Sequence, residues 1–175
     1  NVKDGVSGVL RAVCENLGWD VGFFWTVSGN EDCLVCRASW HRSGTTVTEF
    51  EDASCNRTFR KGEGLPGRVW ETHRAEWIFD IKTEANFPRL APALEYGLNS
   101  AFACPIVIGD RTLGAIEFFT KHIRDADAGL LRGLREDGFI GIRFQFRDRA
   151  EPPDLQSLAY QELLRQVADL GWIVH

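Results

Sequence analysis

Two spacings in this chain could carry chemistry, and each needs a particular context to do so. The first is Gly62-x-Gly64-x-x-Gly67, inside Lys61-Gly-Glu-Gly-Leu-Pro-Gly-Arg-Val-Trp70. Glycines at this spacing cradle a dinucleotide when the turn leaves a buried strand and opens a long helix. Here the preceding residues, Ser54 to Arg60, are polar and do not alternate, and the helix opened by Pro66 is expected to end near Thr72–His73. No Lys-Ser/Thr pair follows, which excludes a Walker-type loop. The expected role is a glycine turn feeding a short helix. The second spacing is Cys33-x-x-Cys36. Leu34, Cys36, Ala38 and Trp40 alternate with Cys33, Val35, Arg37 and Ser39, so the two thiols should point to opposite sides of a strand. The histidines at 41, 73, 122 and 175 are dispersed and no second Cys/His pair has ligand spacing, so no metal site is expected. Five scattered cysteines fit reduced thiols in a cytoplasmic protein better than a disulfide framework. No Ser/His/Asp arrangement or carboxylate pair stands out, so no catalytic residue is assigned and the domain itself is not expected to be an enzyme.

The elements that must position any site follow from periodicity. Val6, Val9, Leu10, Val13 and Leu17 recur at helical spacing, and Gly18 ends that helix. Val21, Phe23, Trp25 and Val27 alternate as a strand, and Ser28-Gly-Asn30 turns the chain into a second strand over Cys33–Trp40. Residues 42–58 are polar and irregular, with one helical turn near Val47–Ala53. A brief strand follows at Glu76–Asp80 and a covering helix from Pro88 to Tyr96. Ala101–Ile108 and Thr112–Thr120 form a hairpin through Gly109-Asp110, which makes the sheet at least partly antiparallel. Residues 125–147 carry both a helical period (Leu131, Leu134, Ile142) and a strand alternation (Ile140, Ile142, Phe144, Phe146).

Composition bounds the function. A chain of 175 residues is long enough for one domain with an appendage. The net charge of −5 with dispersed Lys and Arg argues against a nucleic-acid surface. No apolar run approaches the ~18–20 residues that span a bilayer, and the N-terminus lacks a signal-peptide pattern. The chain contains no methionine, which points to a piece of a longer protein.

Taken in order, Gly62-Glu-Gly-Leu-Pro-Gly-Arg-Val-Trp70, Trp77-Ile-Phe-Asp80, Asn86-Phe-Pro-Arg89, Tyr96-Gly-Leu98, Ser100-Ala-Phe-Ala-Cys-Pro105 and Leu113-Gly-Ala-Ile-Glu-Phe-Phe119 resemble a GAF domain, of the kind found in bacterial sensory histidine kinases and related signalling proteins. The resemblance covers about residues 5–147. It implies an α+β fold with an antiparallel sheet of five or six strands. Terminal helices near 3–17 and 126–147 should lie on one face, and the loops 42–60 and 77–99 should cover the other. Residues 1–147 then form a sensory domain, and 148–175 a proline-broken linker and amphipathic helix. That helix echoes the opening one: Leu164-Arg-Gln-Val167 repeats Leu10-Arg-Ala-Val13. The echo suggests the opening helix of a following, similar domain, or is chance. Either way the helix should pack on its own domain or on a second copy of the chain, and a homodimer is expected.

The resemblance also implies a small-molecule pocket between the sheet and its coverings. The residues expected there are Trp40, Phe50, Phe59, Trp77, Asp80, Phe87, Arg89, Tyr96 and Phe102. Arg68 and Arg89 could hold an anion, or Arg68 could pair with a neighbouring carboxylate. Asp80 could equally serve as a turn cap. The ligand and any cofactor stay unnamed. Covalent bilin attachment is not expected, because no cysteine lies between Ile78 and Ser100. The signature of cyclic-nucleotide-binding members cannot be assembled either. The expected function is a non-enzymatic sensor or regulator in a larger cytoplasmic signalling protein, acting as a homodimer on an effector elsewhere. Two alternatives stay open: a thiol-dependent reductase of free methionine sulfoxide using Cys55 or Cys104, and a dimerisation domain whose pocket is filled by its own side chains.

Overall fold

Alternation of apolar side chains along three long strands sets the centre of the molecule. A computed structural model describes residues 2–30, 32–108, 111–123, 141–145 and 173–174. Helix α1 (Val2–Leu17) leads into β1 (Val21–Val27) and β2 (Leu34–His41). The helix α2 (Thr48–Cys55), the short β3 (Thr58–Phe59) and α3 (Gly64–Thr72) follow. Next come β4 (Ala75–Ile78), a 3-10 turn (Ile81–Thr83), α4 (Leu90–Glu95), β5 (Ser100–Ile108) and β6 (Arg111–Thr120). The strands β7 (Gly141–Gln145) and β8 (Ile173–Val174) complete the order. The sheet runs β3-β2-β1-β6-β5-β4-β7-β8. From β3 to β4 every neighbouring pair is antiparallel, giving the expected six-stranded antiparallel core of a GAF-like sheet.

The outer two strands depart from expectation. Residues 141–145 lie inside the helix expected over 126–147, yet they form β7, paired in parallel with β4. Without β7, strand β4 would end the sheet with unpaired N–H and C=O groups, so pairing there satisfies more backbone than a glycine-weakened helix end. The strand alternation noted for this stretch is the one the fold uses. The rest of that expected helix, the Gly109-Asp110 turn, the linker and the helix expected over 154–172 lie outside the described residues. Residues 173–174 form β8, parallel to β7.

Each face of the sheet has its own core. On one side α1 presents Leu10 and Cys14, and Val6, Val13 and Leu17 pack beside them. Val9, expected in the same stripe, is 50% exposed. Facing the helix are Trp19, Trp77, Phe79, Phe102, Cys104 and Phe118. Gly22 lets this layer close, since a Cβ there would stand 2.9 Å from the Phe118 ring. On the other side Val21, Phe23, Trp25, Ala101, Ala103, Ala115 and Phe119 meet the covering elements.

One irregularity redirects a strand. Phe24 pairs with Ala38 but Trp25 pairs with Cys36, so Arg37 is an extra residue in β2. Such a bulge reverses which side of the sheet the later residues face. Leu34 and Cys36 therefore pack with the covered core, whereas Ala38 and Trp40 pack with α1.

Candidate functional site

The glycine-rich stretch builds a support, not a phosphate cradle. Gly62 and Gly64 adopt the left-handed conformation, with φ of 76° and 60°. Gly67 has a different reason to be glycine: a Cβ there would lie 2.2 Å from the Arg60 carbonyl oxygen. Asn86 clamps this turn from the next covering loop. Its Oδ1 accepts from the Gly64 N–H at 2.9 Å and its Nδ2 donates to the Gly62 carbonyl at 2.7 Å. The clamp fixes the start of Asn86-Phe-Pro-Arg89, the segment that delivers Phe87 and Arg89 under the covering. Arg68, on the helix that the turn opens, is spent on its surroundings. It donates to Glu76 at 2.8 Å, to the Asn86 carbonyl at 2.7 Å and to Glu84 at 3.3 Å.

Arg89 is the centre of the covered face. It is 3% exposed, and its guanidinium carbon lies 4.9–5.9 Å from six ring centroids, those of Phe23, Trp25, Phe50, Phe59, Phe87 and Phe119. One amino group donates to Glu117 Oε1 at 2.5 Å and the other to Ser54 Oγ at 3.2 Å. Trp25 Nε1 donates to the second Glu117 oxygen at 3.2 Å. Burial pushes the Glu117 carboxyl above the ordinary carboxylate range, with Arg89 and the Trp25 N–H pulling the other way. Cations over aromatic faces are attracted by the ring quadrupole, and loss of water strengthens that attraction. The result is a buried charge pair inside an aromatic cage.

Helix α2 closes this chamber. Phe50 inserts between Phe23 and Phe119, at 5.7 and 5.2 Å. Glu51 meets His41 Nδ1 at 2.7 Å, a contact available only because the bulge at Arg37 turns His41 toward the covering. Glu49 accepts from the Tyr96 hydroxyl at 2.5 Å, which pushes the phenol up to about 12. At the end of the helix, Cys55 is disulfide-bonded to Cys36, with their Cα atoms 4.9 Å apart. This corrects the expectation that all the cysteines are reduced. Cys36 stays on the covered side of β2, and the last residue of α2 lands over it. Cys33 is not its partner, as the strand alternation required. Cys14 and Cys104 are buried and outside any disulfide, and desolvation pushes Cys14 up to about 12.

The residues expected in the pocket therefore separate. Phe50, Phe59, Phe87 and Arg89 converge in the chamber, and Tyr96 packs at its edge. Trp40, Trp77 and Phe102 belong to the opposite face, where the Trp77 ring lies edge-on 5.2 Å from Trp19 and tilted 5.3 Å from Phe102. Strand alternation places Trp77 and Phe102 there, and the bulge places Trp40. Asp80 caps the 3-10 turn by accepting from the Lys82 N–H at 3.0 Å. Sequence reasoning passed over Glu117 and Ser54. Glu117 had a signal: a carboxylate within the apolar run of β6, on the same side as Ala115 and Phe119.

A hollow of about 410 Å³ opens away from the Arg89 cage, beside Lys61, Trp70, His73, Arg111 and Thr112. Lys61 lies 5.1 Å from the Trp70 ring, and His73 Nδ1 is 2.6 Å from Thr112 Oγ1. None of these residues was expected to form a site. Among the described residues no group of His, Cys, Asp and Glu could hold a metal, and no helix is long and apolar enough to cross a membrane.

Comparison with known proteins agrees with this architecture. The GAF domain family model matches residues 1–137, and the chain belongs to that family. No curated protein matches the chain in sequence. Among solved structures, it is similar to the GAF domain of an Acinetobacter phosphoenolpyruvate-protein phosphotransferase, with 12% identity over 98% of this chain and 86% of that one and a TM-score of 0.62. It is also similar to a free methionine-R-sulfoxide reductase from Neisseria meningitidis, solved in complex with its substrate, at 16% identity, 73% and 67% coverage and a TM-score of 0.56. A third is the Staphylococcus aureus NreA protein mutated in its nitrate binding site, at 16% identity, 71% and 88% coverage and a TM-score of 0.56. At such identities the likeness shows the fold.

Proposed function

We propose that this GAF domain is a non-enzymatic sensory or regulatory module whose receptor site is the chamber around Arg89 and Glu117. The observation that carries this reading is the charge pair itself, buried within the aromatic cage under α2. A buried ion pair is a poor stabiliser, since well-packed apolar side chains in its place are commonly as stable or more so. A paired guanidinium among ring faces is, however, a good receptor. Its planar fork suits a planar anion such as a carboxylate, which could take the place of Glu117, while the rings hold an apolar body. The structurally similar Staphylococcus aureus NreA protein has a nitrate binding site, and nitrate is a planar anion.

A thermal-shift screen of small carboxylates and other planar anions, nitrate included, tests this. A ligand should raise Tm in the wild-type chain and leave the double variant Arg89→Met/Glu117→Leu unmoved. A screen with no wild-type response sinks the reading.

A second reading, a thiol-dependent reductase, is favoured by the Cys36–Cys55 pair and by the likeness to the Neisseria reductase. The burial of Cys14 and Cys104 speaks against either as a nucleophile. Turnover of free methionine-R-sulfoxide with a dithiol reductant, lost in Cys55→Ser, would establish the enzyme reading instead.

In the sensory reading the module belongs to a cytoplasmic signalling protein and acts on an effector elsewhere in it. Residues 148–153 form a linker, and the segment after them pairs two copies. Light scattering with and without residues 152–175 tests that: a monomer in both cases removes the dimer.

A further inference from the structure

We propose that Cys36 and Cys55 are a reversible redox-modification site that latches α2 over the Arg89 chamber when oxidised and frees it when reduced by a dithiol. The consequence for ligand entry rests on the sensory reading above; the latch itself does not.

Three observations support it. First, α2 is a short helix that cannot hold itself. It spans eight residues, and Val47 before it provides no side-chain cap; isolated helices of this length are unstable in water. Its position therefore depends on its attachments. Second, those attachments include both redox and recognition groups on neighbouring residues. Cys55 joins Cys36 on β2, while Ser54, fully buried, accepts from Arg89. A disulfide at the end of the helix thus fixes the residue that touches the chamber's central charge. Third, the bond can be reached. Cys55 is exposed and Cys36 half-buried, whereas Cys14 and Cys104 are buried.

The chemistry is thiol–disulfide exchange. A thiolate of the reductant attacks Sγ of Cys55, the Cys36–Cys55 bond breaks, and Cys36 leaves as a thiolate that takes up a proton. The second thiol of the reductant then displaces Cys55 and closes the reductant's own disulfide. Two electrons and two protons pass to the pair. A disulfide oxidant returns them by the reverse route. After reduction, α2 keeps Phe50, the His41–Glu51 contact and the Tyr96–Glu49 hydrogen bond. Release is accordingly a shift in opening frequency, with the fold intact.

The test uses the full chain under oxidising conditions and with dithiothreitol. Alkylation followed by intact mass should count two more thiols after reduction. Hydrogen exchange in residues 48–55 should quicken about 10- to 100-fold on reduction, while α1 stays unchanged. Cys55→Ser should exchange like the reduced wild type and ignore the reductant. Reduced wild type is itself the open state, so the test survives a variant that folds poorly. An unchanged thiol count, or exchange in 48–55 that is indifferent to redox state, overturns the latch. Neither readout needs a ligand, so a failed anion screen with a redox-dependent α2 would reject the receptor and keep the latch.

Discussion

Both faces of the sheet bury aromatic rings, yet among the described residues only one holds buried charge pairs in its core. Against α1, the rings of Trp19, Trp77, Phe102 and Phe118 meet edge-on or tilted at 5.2–6.2 Å around aliphatic neighbours. Under the coverings, a comparable set of rings surrounds Arg89 and Glu117, with Arg68 and Glu76 as a second buried pair beyond it. Glu117 and Phe118 are consecutive on β6 and go one to each side. The same strand thus serves a dry layer that holds the fold and a charged layer suited to recognition. Two-residue periodicity is what allows one element to do both without compromise.

The sharpest way to break this contrast is Glu117→Leu. It leaves Arg89 buried without its partner and should cost about 3–5 kcal/mol in urea unfolding. Adding Arg89→Met should recover most of that loss, because the cage then closes over apolar atoms. If the single variant were nearly neutral, the charged layer would be no different in kind from the dry one. Leu10→Ala probes the other face and should cost about 2–5 kcal/mol by opening a cavity beneath α1. Any anion response found for the wild type should survive that change in the protein that remains folded. Asp80→Ala removes a turn cap, with an expected loss of about 1 kcal/mol and no change in the chamber.

The subtlest signature is a slope with pH. Burial raises the folded carboxyl of Glu117 above its unfolded value of about 4.3, so the native state holds the additional proton. Stability from this group is therefore fullest below that value and falls as pH rises toward the raised folded value. Glu117→Gln should flatten this part of the profile measured by chemical unfolding.

The strands with local signals were legible. β1 matches its alternation residue for residue, and β5 and β6 match to within one residue at their ends. Residues 42–58 also yielded a helix near the expected turn, Thr48–Cys55. What escaped depends on distant partners. β7 chose a strand because β4 had an edge to satisfy, a fact absent from residues 141–145 themselves. The Cys36–Cys55 bond joins a strand to a helix across a covering loop. Of the expected pocket, the covering residues Phe50, Phe59, Phe87 and Arg89 come together, since loop segments over one face converge whatever their detailed path. Trp77 and Phe102 were readable in principle from alternation against their neighbours. Trp40 was not, because the register change at Arg37 leaves no local mark.

That one additional residue in β2 also fixes how this chain can be aligned with its relatives. Upstream of Arg37, matching positions by simple succession compares like with like. Downstream, a relative without the bulge needs a one-residue gap, or its chamber-facing positions will be equated with Trp40 and its helix-facing positions with His41. Deleting Arg37 would remove the bulge and leave unbroken alternation through Cys36, Ala38 and Ser39, as in such a relative. The indole of Trp40 would stay toward α1, and the imidazole of His41 would stay toward Glu51. Length, more than residue identity, is the heritable variable at that point of the strand.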